Sequence, residues 1–271
     1  MPELPDVENF RKLLVRHALH KKIEHVEVGS AKILEGVSAR ELARKLEGRS
    51  FEGARRHGKH LFAALDEGHC VGFHFGLTGR FVYFKDGEED PRHDRLRLDF
   101  PHREHFCFVD QRLFGRVEWI DDPDEYIRKK KLGPDALSIG EQAFREALAA
   151  RRGALKPALM DQTLLAGIGN LYSDEILFQA KLHPKTPASD LDGKAIKRLY
   201  RVMRRVLETA VEKGAGAEED LERRLPKGWL LPHRKKGGEC PRCGGKIATL
   251  KVEGRTAYFC PACQPAPRAG R

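Results

Sequence analysis

Two cysteine pairs near the C-terminus constrain the fold of this 271-residue chain more than any other feature. Cys240 and Cys243 form one Cys-x-x-Cys pair, and Cys260 and Cys263 form a second pair sixteen residues later. Two such pairs joined by a strand–turn–strand pattern can present four thiolates as a tetrahedron, which suits a structural Zn²⁺ ion. A redox role is the alternative, but neither pair lies between a strand and a helix. The spacing therefore predicts one structural zinc ion.

The rest of the chain is typical of a cytoplasmic protein without membrane contact. No stretch approaches the roughly 18 apolar residues that span a bilayer, and the N-terminus lacks the basic start and apolar core of a secretory signal. We therefore expect Cys70 and Cys107 to be buried thiols rather than disulfide partners.

The charge distribution indicates a polyanionic partner. The chain carries 50 Lys and Arg against 40 Asp and Glu, a formal net charge of +10. Residues 227–271 hold ten of these cations and two acids, so a net +8 is concentrated in this end. A compact basic module on a near-neutral body is typical of a nucleic-acid-binding element. A solubilising tail is the alternative on composition alone.

Hydrophobic periodicity divides the chain into a β-rich part and a helical part. A helix is expected to begin near Pro5, since apolar residues then recur at helical spacing. Short apolar runs separated by Gly, Asp and Pro clusters predict an antiparallel sandwich or barrel. The predicted strands are 23–28, 60–65, 70–75, 80–84, 95–100, 106–109 and 116–120.

Helical patterns follow a linker-like segment at 132–135. Ser138 and Glu141 stand at capping-box spacing and predict a helix to Ala150. Further helices are expected at 155–165, 173–180 and 191–213, then a loop at 214–238 and a hairpin of strands 247–252 and 255–259. We thus expect an α+β multidomain fold with domains at 1–130 (β-sandwich with an N-terminal helix), 131–232 (helical) and 233–271 (zinc finger).

The N-terminus can supply a nucleophile. Cellular processing normally removes a methionine that precedes proline, which leaves Pro2 with a free secondary amine. Such an amine attacks an aldehyde and forms an iminium ion, and an α-amino pKa of about 8 keeps a useful neutral fraction at physiological pH. Glu3 beside it can act as a general acid or base. An inert N-terminus is the simpler alternative from this feature alone.

Two further features are ambiguous by themselves. Gly167 and Gly169 precede Asn170 between helical patterns, and glycines at a helix start let backbone N–H groups and a side-chain amide approach a phosphate. A tight interhelical turn explains these residues equally well. Arg255 follows the expected hairpin turn, either as a cation held at the tip or as an ordinary exposed arginine.

Motifs along the whole chain occur together in one order. They are MPELPDVE at 1–8, GKHL at 58–61, HFGLTG at 74–79, DQRLFG at 110–115, LGP at 132–134, DQ at 161–162, GIGN at 167–170 and the four-cysteine finger. Together they closely resemble the formamidopyrimidine-DNA glycosylase / endonuclease VIII family of base-excision repair enzymes. The N-terminal octapeptide and the finger are the specific parts of this resemblance.

The resemblance implies an N-terminal β-sandwich, a helical domain with a helix-two-turn-helix, and a C-terminal zinc finger. It implies a bifunctional DNA glycosylase/AP lyase that excises 8-oxoguanine and formamidopyrimidines from damaged double-stranded DNA. In that chemistry Pro2 attacks C1′ of the damaged nucleotide, and β and δ eliminations cut the strand. Glu3 is the acid/base partner, and Lys59 contacts the phosphate of the lesion and assists catalysis.

The resemblance also implies DNA contacts. An enzyme that acts on a base within a duplex must extrude that base and fill the gap. Leu77, Arg112 and Phe114 match the family's wedge, its cation for the opposite base and its stacking ring. Phosphate contacts are implied for four residues: His74, Lys156, Asn170 and Arg255.

Three departures from the family pattern leave the substrate open. Leu77 stands where 8-oxoguanine-directed members usually carry methionine, and Asp6 stands where many carry glutamate. Residues 214–229 are acidic at 218–220 and lack the Gly-Gly-Thr-Thr-Leu-like segment that begins the loop over the flipped base. The resemblance as a whole still makes oxidised purines the leading substrates. An endonuclease VIII-like preference for oxidised pyrimidines and a non-catalytic damaged-DNA-binding protein are the alternatives. We expect a monomer, associated with the nucleoid through DNA.

Overall fold

A computed structural model of the protein describes residues 1–216 and 221–267, apart from the side chain of Glu67. The chain forms two compact units, Met1–Lys130 and Lys131–Arg271. Each helix in the described part of the chain is too short or too polar to cross a membrane. The three domain boundaries expected from the sequence stay a prediction.

The first unit combines strands with a few helices. Its helices are α1 (Leu4–His17), α2 (Ala39–Leu46) and α3 (Pro123–Lys129). Its strands are β1 (His25–Glu27), β2 (Leu34–Glu35), β3 (Phe51–His57), β4 (His60–Leu65), β5 (Cys70–His74), β6 (Arg80–Lys85), β7 (Asp94–Phe100), β8 (Glu104–Val109) and β9 (Arg116–Ile120).

The strands form two sheets, so the expected sandwich is confirmed. One sheet has the order β1-β7-β8-β6 and the other β2-β9-β5-β4-β3. Aromatic rings from both sheets meet between them: Phe73 of β5 lies 5.0 Å from Phe81 of β6 and 5.9 Å from Phe108 of β8. Helix α1 adds its buried residues Val7 and Phe10 to the same core. Burial of these large rings supplies the main driving force for this unit.

The sequence missed α2, α3, β2 and β3. Helix α2 buries only Leu42 and Leu46, and Ser38 caps it by accepting a hydrogen bond from the Glu41 amide at 3.2 Å. Strand β3 is the edge of its sheet and carries charged residues along FEGARRH, so its pattern lacks the apolar run of a central strand.

The second unit is helical and ends in a β-hairpin. Its helices are α4 (Glu141–Ala149), α5 (Leu155–Met160), α6 (Asn170–Ala180), α7 (Gly193–Glu212) and α8 (Leu221–Arg224). The hairpin strands are β10 (Ala248–Val252) and β11 (Arg255–Phe259), which pair antiparallel as expected. A small cluster of Phe178, Leu230, Ile247 and the buried cysteines packs beneath the hairpin.

Two helix predictions were wrong in detail. Gly140, not Ser138, is the N-cap of α4, and the Ser138 hydroxyl instead donates to the Asp135 carbonyl at 3.4 Å. The helix expected to reach residue 165 ends at Met160. Asp161 there takes an extended conformation and accepts hydrogen bonds from the Thr163 amide and hydroxyl, which compete with the helix. The loop expected at 214–238 contains the short helix α8.

Candidate active site and zinc centre

The first turn of α1 fixes the residues around Pro2. Glu3 is the N-cap, and its side chain accepts a hydrogen bond from the Asp6 amide while the Asp6 carboxylate accepts one from the Glu3 amide at 2.7 Å. Glu3 is only 1% exposed. Burial raises the pKa of Asp6 to about 7. The structure thus places next to Pro2 one buried carboxyl and a second that can hold a proton near neutral pH.

Lys59 occupies the two-residue turn between β3 and β4, after Gly58, which has φ +57°. The turn brings Lys59 near a cross-strand histidine pair, His60 and His74, whose ring centroids lie 4.9 Å apart. Burial lowers the pKa of His60 to about 3 and also lowers that of His74, with the charge of Lys59 adding to both effects. Both rings are therefore neutral at physiological pH.

The tautomer of His74 follows from its backbone contact. The Gly76 amide donates to His74 Nδ1 at 3.3 Å, so we assign the ring proton to Nε2. A neutral ring with an Nε2–H donor can bind a phosphate oxygen. His74 and Lys59 thus offer a neutral and a charged donor at the same edge of the sheet.

Asp110 joins the two loops that carry Leu77, Arg112 and Phe114. Its carboxylate is fully buried and accepts hydrogen bonds from the Thr78 hydroxyl at 2.5 Å and the Gly115 amide at 2.7 Å. The Arg112 amide also donates to it at 3.2 Å. The loop after β5 and the loop after β8 therefore form one rigid structure.

A glycine permits the close approach of these loops. Gly76 has φ +57°, and a Cβ at this position would lie 2.5 Å from the Phe114 carbonyl oxygen and 2.6 Å from the Gly115 amide. Neither an L-side chain nor its Cβ fits there without backbone movement. The sequence quoted Asp110 and Gly76 only as parts of motifs, because their contacts join residues more than 30 positions apart.

The three side chains that match the family's gap-filling set lie at or near the surface of this structure. Phe114 is 50% exposed, and the Arg112 guanidinium lies 5.3 Å from the centre of its ring. Leu77 is half-buried. An exposed ring and cation on a rigid loop can stack on a base and donate to its neighbour without reorganisation.

Asn170 begins α6, with Gly169 as the N-cap. Its side-chain Oδ1 is buried and has no hydrogen-bond partner in the described part of the chain. Its carbonyl accepts hydrogen bonds from Lys156 Nζ at 3.2 Å and Arg234 at 3.4 Å. The turn that presents Asn170 is therefore held from behind by two cations.

Lys156 lies inside the second unit, which corrects the expected surface contact. The residue is 1% exposed, and its Nζ donates to Asp174 at 2.6 Å and Ser173 at 2.9 Å. Arg234 reaches the other oxygen of Asp174 at 2.9 Å and lies 4.3 Å from the centre of the Tyr258 ring. An amine enclosed in this way cannot reach a phosphate without unfolding its surroundings. Lys156 is therefore a positioning residue for the Asn170 turn and the hairpin.

Arg255 lies at the tip of the finger hairpin, as the sequence predicted. It pairs with Val252 across a two-residue turn, Glu253-Gly254, in which both residues have positive φ. The Arg255 side chain is exposed. Such a turn is rigid and matches the strand twist, so the cation is held away from the finger.

The four predicted zinc ligands converge. The Sγ atoms of Cys240, Cys243, Cys260 and Cys263 all lie within 4.8 Å of one another. The Cys240 amide donates to the Gly245 carbonyl, and the Gln264 amide to the Cys260 carbonyl, so each pair lies in a tight turn. Backbone N–H donation by Gly245 lowers the pKa of Cys243 to about 7, which favours the thiolate that binds metal. Four sulfurs at this spacing fit one tetrahedral zinc ion, with a structural role.

Comparisons with known proteins agree with this geometry. Residues 1–117 match the formamidopyrimidine-DNA glycosylase N-terminal domain, residues 132–221 its H2TH domain, and residues 237–266 the zinc finger found in FPG and IleRS. Curated formamidopyrimidine-DNA glycosylases of Pelotomaculum thermopropionicum and Acidothermus cellulolyticus are each 34% identical. The alignments cover 97% and 99% of this chain and 99% of each relative.

Solved structures are similar over the same length. The Lactococcus lactis enzyme in complex with FAPY-dG-containing DNA has a TM-score of 0.86 and 31% identity, covering 97% of this chain and all of that one. A complex of MutM with carbocyclic 8-oxo-G-containing DNA also gives a TM-score of 0.86, at 31% identity, covering 98% of this chain and 100% of that chain.

The fold, the paired loops and the four-cysteine centre define a zinc-finger DNA glycosylase, with a β-rich N-terminal domain and a helical H2TH domain. The chain belongs to the formamidopyrimidine-DNA glycosylase family. The expected family is thereby confirmed.

Proposed function

We propose that this protein excises oxidised purines from damaged double-stranded DNA and cuts the strand at the resulting abasic site, acting as a monomer. The observation that carries this proposal is the mutual cap of Glu3 and Asp6, which holds Pro2 beside a buried carboxyl. A cytoplasmic, nucleoid-associated location follows from this substrate.

The proposed chemistry begins with the Pro2 amine, after removal of Met1. Its nitrogen attacks C1′, the glycosidic bond breaks, and the base leaves with the bonding electron pair and takes up a proton. Opening of the sugar then gives an iminium ion, which makes the 2′ protons acidic enough for elimination. Loss of the 3′ phosphate and then of the 5′ phosphate cuts the strand. Glu3 moves protons between the leaving groups and the sugar.

The remaining site residues bind and orient the DNA. Lys59 and His74 hold the phosphate of the lesion, while Asn170 and Arg255 hold the neighbouring backbone. Leu77, Arg112 and Phe114 fill the gap left by the extruded base, which offsets an unstacking cost of a few kcal/mol. The zinc ion holds the finger in shape and takes no part in the reaction.

The substrate preference rests on the relatives. The similar proteins are named for formamidopyrimidines, and solved structures contain FAPY-dG or carbocyclic 8-oxo-G. Leu77 in place of methionine is the feature that favours the second candidate, an endonuclease VIII-like preference for oxidised pyrimidines. The acidic residues 218–220 lie outside the described part of the chain. A panel of duplexes that each carry one lesion, followed by strand-cleavage analysis, decides between the two candidates.

Borohydride trapping tests the proposed nucleophile. We expect a covalent protein–DNA adduct that maps to the processed N-terminus. Pro2→Gly, which keeps an amine but loses the ring, should retain part of the activity, and protein that retains Met1 should have almost none. Glu3→Gln should chiefly impair base removal. An adduct on Lys59, or undiminished trapping with Met1 attached, would exclude this mechanism.

Removal of the gap-filling side chains tests the DNA contacts separately. Leu77→Ala and Phe114→Ala should impair excision from duplex DNA. Both should spare lyase action on a single-stranded abasic substrate, where no stacked base has to be extruded. Equal losses on both substrates would instead mean that these side chains stabilise the loops of the site and do not replace the extruded base.

A further inference from the structure

Helix α7 carries a row of exposed cations that the site described above does not use. Lys194, Arg198, Arg201 and Arg205 are exposed and recur every three or four residues, so they follow one face of the helix. At a rise of about 1.5 Å per residue the row is about 16 Å long. The opposite face is buried, with Leu199, Met203 and others in the core.

The row is not balanced by carboxylates. Within the described ranges 1–216 and 221–267, ion pairs on α7 involve Lys197 with Glu141 at 3.9 Å and Arg204 with Glu208, and none involves the four residues of the row. The two acids of α7, Glu208 and Glu212, lie near its C-terminal end.

This charge arrangement opposes helix stability. Cations in the first turns face the positive end of the helix dipole, and acids in the last turns face the negative end. Like charges three and four residues apart also repel each other. The row takes no part in the packing of the buried face of α7, and a negatively charged ligand would compensate its charge.

The row borders a groove with further cations. A recess of about 590 Å³ is lined by the four cations of the row together with Lys197, Gln179 and Val202. A second recess of about 260 Å³ shares Gln179 and Arg205 and adds Lys227 and Trp229. We define the α7 groove by Lys194, Arg198, Arg201, Arg205 and Lys227.

The α7 groove is distinct from the Asn170 turn. Gln179, in the floor of the groove, and Asn170 stand at opposite ends of α6, nine residues and therefore about 13 Å apart along the helix. The groove and the Asn170 turn therefore use different residues of α6.

We propose that the α7 groove binds the phosphate backbone of a second DNA segment while the first segment occupies the lesion site. Arginine fits this ligand, since its planar donor group bonds phosphate oxygens in pairs. The groove then lets the enzyme transfer directly between DNA segments. The proposal rests on the proposed function only in taking DNA as the substrate.

Competitor-dependent dissociation tests this proposal. The full-length zinc-loaded protein is bound to a labelled duplex with a tetrahydrofuran abasic analogue, and unlabelled undamaged duplex is added at increasing concentration. For the wild type we expect a dissociation rate that rises with competitor concentration, because a second duplex binds before the first leaves. Arg201→Gln/Arg205→Gln should lose this rise.

A matched control has the same spacing and charge change. Arg40 and Arg44 are exposed and four residues apart on α2, and Arg40→Gln/Arg44→Gln should keep the wild-type rise. The affinity for the competitor should also depend less on salt. Loss of two phosphate contacts should reduce the slope of log affinity against log salt concentration by about 1.8. Arg201→Lys/Arg205→Lys, which keeps the charge, should restore most of the rise.

Three results would overturn the proposal: a wild-type rate independent of competitor, an unchanged rise in Arg201→Gln/Arg205→Gln, or an equal loss in the α2 control. If the dissociation rate of Arg201→Gln/Arg205→Gln still rises with competitor as in the wild type, the ligand of the groove is not DNA, and an acidic protein surface becomes the candidate. Single-turnover excision from a short lesion duplex should be unaffected by the α7 substitutions. If the wild type transfers between duplexes but excises no lesion, the proposed function is wrong and the proposal for the α7 groove still holds.

Discussion

The two units of this protein hold the residues that we propose to contact DNA by different physical means. In the first unit, the loops with Leu77 and Phe114 rest on an aromatic core and are joined by Asp110, whose partners are a hydroxyl and backbone amides. In the second unit, Asn170 and the hairpin are held by a buried charge network centred on Asp174 and by the four-cysteine centre.

Because of this difference, we expect the two units to respond differently to substitutions. An apolar core whose loops are held by hydrogen bonds from uncharged donors responds mainly to changes of shape and volume. Buried charges and a metal site respond to removal of one partner, because the remaining charge is then left without compensation in a poor solvent. Substitutions of similar size should therefore have larger effects in the second unit.

Loss of zinc should have the largest effect. Structural zinc binding contributes roughly 10–16 kcal/mol in zinc-finger peptides, and the finger has only a small apolar cluster of its own. Cys240→Ser should abolish zinc binding and DNA binding while the first unit stays folded, as measured by metal analysis, DNA titration and NMR. Cys70→Ser, which removes a buried thiol of the first unit, is the control and should keep its zinc. Active protein that contains no zinc would contradict this prediction.

Asp174→Asn should have the next largest effect. The change leaves the buried Lys156 and the half-buried Arg234 without their counter-charge, and removal of one partner of a buried ion pair typically costs about 3–5 kcal/mol. Urea unfolding should show this loss in the second unit. Adding Lys156→Met to the variant removes one uncompensated charge and should recover part of the stability. No recovery would mean that the two residues do not act as a pair.

Glu175 should make the second unit less stable as the pH rises. Burial raises the pKa of this carboxyl from 4.5 to about 7, so the folded state favours the protonated form. The unfolded state loses its proton at lower pH, and stability should therefore decline between about pH 4.5 and pH 7, by at most about 3 kcal/mol. Glu175→Gln should flatten this part of the profile relative to the wild type. Parallel profiles would show that other groups cause the decline.

Asp110→Asn should have the smallest effect. An amide has one accepting oxygen where the carboxylate has two, so either the Thr78 side or the Gly115 side loses its acceptor, at a cost of about 1–3 kcal/mol. Duplex excision should decrease, while lyase action on single-stranded abasic DNA should persist. Asp121→Asn, at an exposed position, is the control. An effect as large as that of Asp174→Asn would remove the distinction between the two units.

The sequence predicted those parts of the fold that depend on local patterns. Strands β5 and β8 are buried on both sides and were visible as apolar runs, and the cysteine spacing alone predicted the zinc ligands. The edge strand β3 and the short helix α2 were missed, because few of their residues face the core.

Less of the candidate site could be predicted from local sequence patterns. The bond between Thr78 and Asp110 spans 32 residues, and no local pattern reports it. The resemblance implied a phosphate contact for Lys156, and a sequence does not show whether a lysine is enclosed by a carboxylate 18 residues away. The roles of Leu77, Arg112 and Phe114 came from the family resemblance. The hydrophobic pattern alone would have predicted core or strand positions for Leu77 and Phe114.

The mutual cap of Glu3 and Asp6 has a consequence for any form of the protein with residues added before Pro2. The cap uses only groups from residue 3 onward, and Met1 is 49% exposed, so an N-terminal extension leaves the fold undisturbed. Under the proposed mechanism such a form finds damaged bases, extrudes them and cannot cut. We expect such a form to compete with the processed enzyme for lesions, so that incomplete removal of Met1 lowers repair by more than the lost fraction of active enzyme.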